Sequence, residues 1–252
     1  MRIMSAIFTK QLNDVFKNPT VTITFILFPI MAFAMANFMG GDILAEGGSP
    51  FIIISSIATM AAAAMPLTAM ASYISEDIET KSLRFLIMAG VKPMQYLFGI
   101  GLFTLFLSVI AMAAFPIIGE LPGQDLGLFA LAAILGLLTS LTFGAVLGII
   151  SKNVQQGMTL ASIAMLVFSF TPMFATFNPG IMKFTQFLFG QQIDNIFRYI
   201  ALGGGEEAAE SFYEVFGINF SSTNSILIIC ANFAVFAILF FIVYRKRGMT
   251  KD

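Results

Sequence analysis

Residues 126–151 read LGLFALAAILGLLTSLTFGAVLGIIS, 26 positions without one Asp, Glu, Lys or Arg. At a rise of about 1.5 Å per residue an α-helix of this length crosses the roughly 30 Å hydrocarbon core of a bilayer, for which about 20 apolar residues suffice. Five further stretches share the property: 18–41, 47–75, 93–119, 153–182 and 215–244. In lipid only a helix or a closed barrel satisfies every backbone N–H and C=O, and these runs are too long and too continuously apolar for barrel strands. The chain therefore reads as an all-α polytopic membrane protein, a single transmembrane domain over 1–252. The expected spans are about 20–40, 51–74, 94–118, 127–150, 155–177 and 224–244.

Composition agrees. Hydrophobic residues make up 58% of the chain and charged residues 11%, with 29 Phe and 16 Met, whereas a soluble domain is roughly 45–50% apolar. The single cysteine, Cys230, excludes an intrachain disulfide and a cysteine-only zinc site. Without histidine the commonest metal ligand and general base are missing. A balance of 13 basic against 14 acidic residues gives no footprint for nucleic acid.

The distribution of those charges carries more than their sum. Arg2, Lys10 and Lys17 precede the first run, Lys81, Arg84 and Lys92 lie between the second and third, Lys152 between the fourth and fifth, and Arg245, Lys246, Arg247 and Lys251 after the sixth, so one side holds 11 of 13 basic residues. The other side holds only Lys183 and Arg198, but nine of the acids, among them Asp42, Glu46, Glu120, Asp125 and Glu206. The positive-inside rule then places both termini in the cytoplasm of a multi-pass cell-membrane protein. The first apolar run is longer than a signal peptide's and follows 17 residues of mixed polarity, so it reads as retained. Within 1–17, Ile3, Met4, Ile7, Phe8, Leu12, Val15 and Phe16 recur at helical spacing with basic residues around them. That pattern predicts an amphipathic helix lying in the cytoplasmic interface.

Two connections are richer than plain loops. The first runs from Ser75 to Pro93: acids come first (Glu76, Asp77, Glu79), bases follow (Lys81, Arg84), and Leu83, Leu86 and Ile87 form an apolar stripe. The reading is a short helix over 76–92, with acids at its positive end and Gly90 and Pro93 ending it. Held at the cytoplasmic face, it is either shaped for a groove on a soluble partner or an ordinary interfacial loop helix.

The run Glu79-Thr80-Lys81-Ser82-Leu83-Arg84-Phe85-Leu86, followed by Gly90-Val91-Lys92-Pro93 and Leu97-Phe98-Gly99, resembles the segment after the second span of type-2 ABC export permeases. In that family Lys81 is a glycine, Arg84 a glutamate, Gly90 a proline and Ile100 a lysine. The resemblance implies six spans, both termini inside, and a coupling helix formed here by Glu76, Asp77, Glu79, Lys81, Leu83, Arg84 and Leu86. It implies as partners a separate cytoplasmic ABC ATPase, which would bind ATP and Mg²⁺, and a second permease subunit, identical or not, in surrounding lipid.

The second connection, 178–214, is too polar for a span and too apolar for a plain loop. Asn178-Pro-Gly180 breaks the fifth run, Phe184, Phe187 and Leu188 keep helical spacing, as do Ile193, Ile196, Phe197 and Ile200, and Gly190-Gln191-Gln192 reads as the bend between them. Two short amphipathic helices either dip into the outer leaflet, where protein covers non-spanning backbone, or rest on its surface. The resemblance implies a re-entrant hairpin gating the exit, with Phe184, Phe187, Ile193 and Phe197 as its candidate gate. Gly203 to Gly205 and the acids Glu206, Glu207, Glu210 and Glu214 read as a solvated outer loop.

No Gly-Lys dipeptide occurs, so the chain has no phosphate-binding P-loop and hydrolyses no ATP by that route. It reads as a transport subunit, not an enzyme, and no cofactor is expected on it. An ATP-independent secondary transporter or channel is the alternative, opposed by the lack of ionisable residues inside the six runs. Met and Phe suit an apolar or amphipathic cargo such as a peptide, lipid or drug.

Overall fold

The computed structural model describes residues 19–45, 51–88, 90–217 and 219–247, together with positions 9 and 12. The interfacial helix expected over 1–17 lies outside the described residues but for those two positions. Among the described residues every regular element is helical. The order is α1 Pro19–Ala45, α2 Phe51–Glu79, α3 Ser82–Met88, α4 Pro93–Ile118, α5 Leu126–Ile150, α6 Val154–Met165, a π-helical segment Leu166–Phe170, α7 Thr171–Phe177, α8 Pro179–Thr185, α9 Phe189–Ala201, α10 Gly205–Phe216 and α11 Ser222–Arg247. Among the described residues five stretches are long and apolar enough to cross a membrane: α2, α4, α5, α11 and the composite run Val154–Ala175. In α1 the described apolar stretch, Thr22–Phe38, is shorter.

Helix α2 is the axis of the bundle: α1, α4, α5, α6, the π segment and α9 all pack against it. Its sequence explains the position. Ala58, Ala61, Ala62, Ala63, Ala64, Ala69 and Ala71 are all completely buried, and small residues let helix backbones approach where lipid supplies no hydrophobic drive for association. Its main partner, α5, answers with glycines. A Cβ on Gly144 would lie 2.5 Å from the carbonyl oxygen of Leu67, and one on Gly148 would lie 2.7 Å from Cβ of Ile74. The Ser140 hydroxyl donates to the Ala63 carbonyl between the same helices. Several hydroxyls inside the spans return to their own helix, as Thr68 does to Ala64 at 2.8 Å and Ser75 to Ala71 at 2.7 Å. That satisfies each donor without breaking a backbone bond.

Two ends are distinguishable. Lys81, Lys92, Lys152 and Arg245 collect at the basic end, where the C-termini of α2, α5 and α11 meet the N-termini of α4 and α6. Glu120 and Asp125 lie at the acidic end, and the Asp125 carboxyl approaches Gly204 there.

The fifth apolar run is not one regular helix. Pro172 has no N–H to offer the carbonyl four residues earlier, that of Phe168, and the turn just before it widens into the π segment. The expected outer loop at 203–214 is also helical. Gly204 and Gly205 take positive φ of 66° and 81°, which reverse the chain, and α10 follows with Glu206 and Glu207 in its first turn, where a helix favours acids. Ala208 and Phe212 point inward from α10, Phe212 meeting Phe220 with ring centroids 5.3 Å apart.

Candidate functional site

At the basic end, α2 does not stop where its apolar run stops but continues to Glu79. Glu76, Asp77 and Glu79 therefore form its last turn, not the first turn of the following helix. The break comes at Lys81, which takes a left-handed φ of 58°, and α3 begins at Ser82. This corrects the expected helix over 76–92: acids at the negative end of α2 need partners other than a dipole, and they have them. Asp77 is buried, and its carboxylate accepts from the Tyr96 hydroxyl of α4 at 2.5 Å and from the Ser82 hydroxyl of α3. Glu79 accepts from the Val154 N–H at 2.7 Å, capping the positive end of α6. Asn153 completes that cap by accepting from the Gln156 N–H at 2.8 Å. On the Glu76 carbonyl converge the N–H and the hydroxyl of Thr80, at 2.9 and 2.8 Å. The carboxylates thus tie three elements into one rigid corner.

Helix α3 is apolar on two faces. Leu83 is 4% exposed and Leu86 half-buried against the core, so these two members of the expected stripe face inward, while the Ile87 side chain lies outside the described residues. Phe85 and Met88, 67% and 73% exposed, form the outward apolar surface. Lys81 is exposed beside them, and the Arg84 side chain lies outside the described residues. Phe85 and Met88 were overlooked because the Leu83 and Leu86 spacing accounted for one stripe; the second, also three residues apart, was legible in the same run.

At the acidic end, α8 and α9 are joined by an elbow at Gln186–Leu188, not at Gly190–Gln192, which lie in the first turn of α9. Gly190 is there for contact: a Cβ would lie 1.9 Å from the Phe168 carbonyl oxygen of the π segment. A polar clasp closes the elbow. The Thr185 hydroxyl donates to Gln191 at 3.0 Å, and Gln192 and Asn195 donate to the Gln186 side chain at 2.9 and 3.1 Å. Asn232 of α11 donates to the Phe187 carbonyl at 2.9 Å. Asn232 is ten residues from Ser222, where α11 starts, about 15 Å of helix at 1.5 Å per residue.

Helix α9 packs among α2, α5 and α11. Phe197 stacks on Phe129 at 4.7 Å, and Ile193 fills the space left by Gly136. A second aromatic cluster joins Phe143, Phe168, Phe189 and Phe236, with Phe143 on Phe236 at 4.5 Å and Phe168 on Phe189 at 4.8 Å. The four expected gate residues are therefore not one set. Ile193 and Phe197 are fully buried, while Phe184 and Phe187 are 82% and 76% exposed.

A charged pair lies inside the bundle. Arg198 Nε meets Asp194 Oδ2 at 2.5 Å, Arg198 Nη2 donates to the Ser56 hydroxyl at 3.0 Å, and Thr59 reaches Asp194 Oδ1 at 3.5 Å. The six apolar runs carry no charge of their own, but α9 brings a pair in among the helices, which the span-by-span reading missed. The i, i+4 spacing of acid and base on an amphipathic segment was the available signal.

Neither the models of known protein families nor the curated proteins include a match to this chain.

Proposed function

We propose that this chain is the membrane-spanning permease subunit of an ATP-driven exporter of the type-2 ABC kind, with six spans including α1 and both termini cytoplasmic. A separate ATPase that binds ATP and Mg²⁺ docks on α3, and a second permease subunit completes the route. The observation that carries this reading is the geometry at 79–88. The chain turns left-handed at Lys81, the position at which the resembled family has glycine, and then presents a short helix with Phe85 and Met88 outward at the basic end. Asp77 at the end of α2 holds Ser82, the first residue of that helix, together with Tyr96 of α4, and Glu79 beside it holds the start of α6, so force on α3 would reach α2, α4 and α6. The segment α8–α9 supports the rest of the reading: its elbow meets the middle of α11, as a re-entrant element would, with Ile193 and Phe197 buried and Phe184 and Phe187 exposed. The cargo class that suits such a route is apolar or amphipathic.

The reading is tested by isolating the tagged chain from its host in mild detergent and identifying what accompanies it. A stoichiometric soluble ATPase is expected; cross-linked preparations that still contain none would leave a self-sufficient channel or transporter. Phe85→Asp is expected to weaken ATPase association about tenfold, the order of one lost interface anchor. Glu79→Lys, which puts a cation at the positive end of α6, should abolish export while leaving membrane insertion intact. Unimpaired export in both variants would end the coupling role of this corner.

The left-handed turn gives a separate expectation. An L-residue at positive φ costs roughly 1–2 kcal/mol, so Lys81→Gly should stabilise the chain by about 1 kcal/mol after the entropy of the more flexible unfolded chain is subtracted. Unfolding titrations in detergent would read it; a destabilised glycine variant would mean that the Lys81 side chain matters more than its backbone.

A further inference from the structure

Helices α4 and α11 both pack on α5 but scarcely on each other. Between them runs an apolar groove of about 360 Å³, walled by Leu97 and Phe98 on one side and Phe240 and Phe241 on the other. Its one polar lining side chain, Thr142 on the α5 floor, already donates to the Leu138 carbonyl at 2.8 Å, so the groove makes no polar demand on an occupant. Phe98 and Phe241 are more than half exposed. Both walls are helices long enough to cross a membrane, so the groove opens to lipid. With a volume per carbon of the order of a water molecule's ~30 Å³, it holds about a dozen methylenes.

The groove's mouth lies at the basic end. Arg245 follows Phe241 by four residues and so sits on the same face of α11 one turn further on, and Lys92 immediately precedes α4. Both side chains are exposed. A row of hydrocarbon closed at one end by two cations is the complement of an anionic phospholipid. A second copy of the chain fits less well: a two-fold axis along the membrane normal would set each basic mouth near its own copy.

We propose that an anionic phospholipid occupies this groove, one acyl chain between α4 and α11 and its phosphate at Lys92 and Arg245. The inference needs only the membrane placement of the chain and is independent of the ATPase partner, so either can fail alone. The full-length chain is reconstituted in vesicles of equal phosphatidylcholine and phosphatidylglycerol, with a trace of either lipid carrying a photoactivatable acyl chain, and the labelled peptides are mapped. The phosphatidylglycerol probe is expected to label 94–105 and 233–241 in preference to other lipid-facing stretches and above the phosphatidylcholine probe. Arg245→Gln, an exposed change that leaves the fold alone, should reduce that preference roughly fivefold, the attraction that an anionic surface exerts on one basic residue. Gly101→Leu should remove label locally from both probes, because a Cβ there is already 3.6 Å from Leu141 and a longer side chain must enter the groove. Equal labelling by the two probes, label spread evenly over all exposed apolar helices, a preference unchanged in Arg245→Gln, or chain-to-chain cross-links through the groove would each overturn the proposal.

Discussion

Gly190→Ala is expected to lower stability by about 3 kcal/mol or more, at the upper end of what overpacking a core costs. The added methyl would stand 1.9 Å from the Phe168 carbonyl oxygen, and that oxygen is backbone, held in the π segment that precedes Pro172. A side chain in its place could swing aside, but here either α9 or the whole of 166–170 must move. Moving α9 separates Phe189 from Phe168 and Phe236, whose rings now lie 4.8 and 6.1 Å away. It also strains the Gln186 clasp, which fixes the elbow just before it. Thermal unfolding in detergent, with proteolysis between 178 and 204 as a local readout, would follow the change. Gly127→Ala is the control: nothing lies within 4 Å of a Cβ in the first turn of α5, so it should be neutral or stabilising by up to about 1 kcal/mol. Indistinguishable melting of the Gly190 variant and the parent would mean that the α9 to π-segment contact is slack.

Asp194→Ala should be of comparable size, about 3–5 kcal/mol, because breaking a buried pair leaves an uncompensated charge behind. Side-chain exposures of 14% for Arg198 and 2% for Asp194 put both groups among the helices, where the guanidinium would lose its carboxylate at 2.5 Å. Lost packing and lost charge pairing can be separated. Replacing both partners, with Asp194→Leu and Arg198→Met together, should recover most of the loss, since a buried pair and a well-packed apolar pair are often close in free energy. A double variant as unstable as the single one would show that Ser56 and Thr59, not the charge balance, set the cost.

Much of the scaffold was legible because hydrocarbon imposes one rule on a long sequence: a run without charges must be helical. Where lipid gives helices no drive to associate, the glycines of α5 and the alanines of α2 are the residues that admit close packing. What escaped depends on partners remote in sequence. Gly190 carries the same local signal whether it bends the chain or admits a carbonyl, and only the position of Phe168 decides. An apolar stripe such as Ile193, Ile196, Phe197 and Ile200 looks alike whether it meets lipid or protein; the polar residues on α9 are buried too, because Thr185, Gln186, Ser56 and Thr59 receive them. The candidate gate was split for a related reason, since α8 and α9 turn different faces outward. At the basic end, lysine is no signal for a left-handed turn, so the acids were assigned to the wrong helix. Their clustering was visible; their attachment to Tyr96, Ser82 and Val154 was not.

The burial of α2 has one more consequence. From Ala58 to Ala64 its buried side is small, with four consecutive alanines at 61–64, while Leu227, Ile238 and Phe241 of α11 are exposed. At that level of the bundle smallness, not bulk, marks the centre. Exchanges such as Leu227 or Ile238 for another bulky apolar residue concern only the outer surface, whereas Ala62 or Ala63 to valine, conservative by any scale of polarity, widens the axle against which α1, α4, α5, α6 and α9 pack.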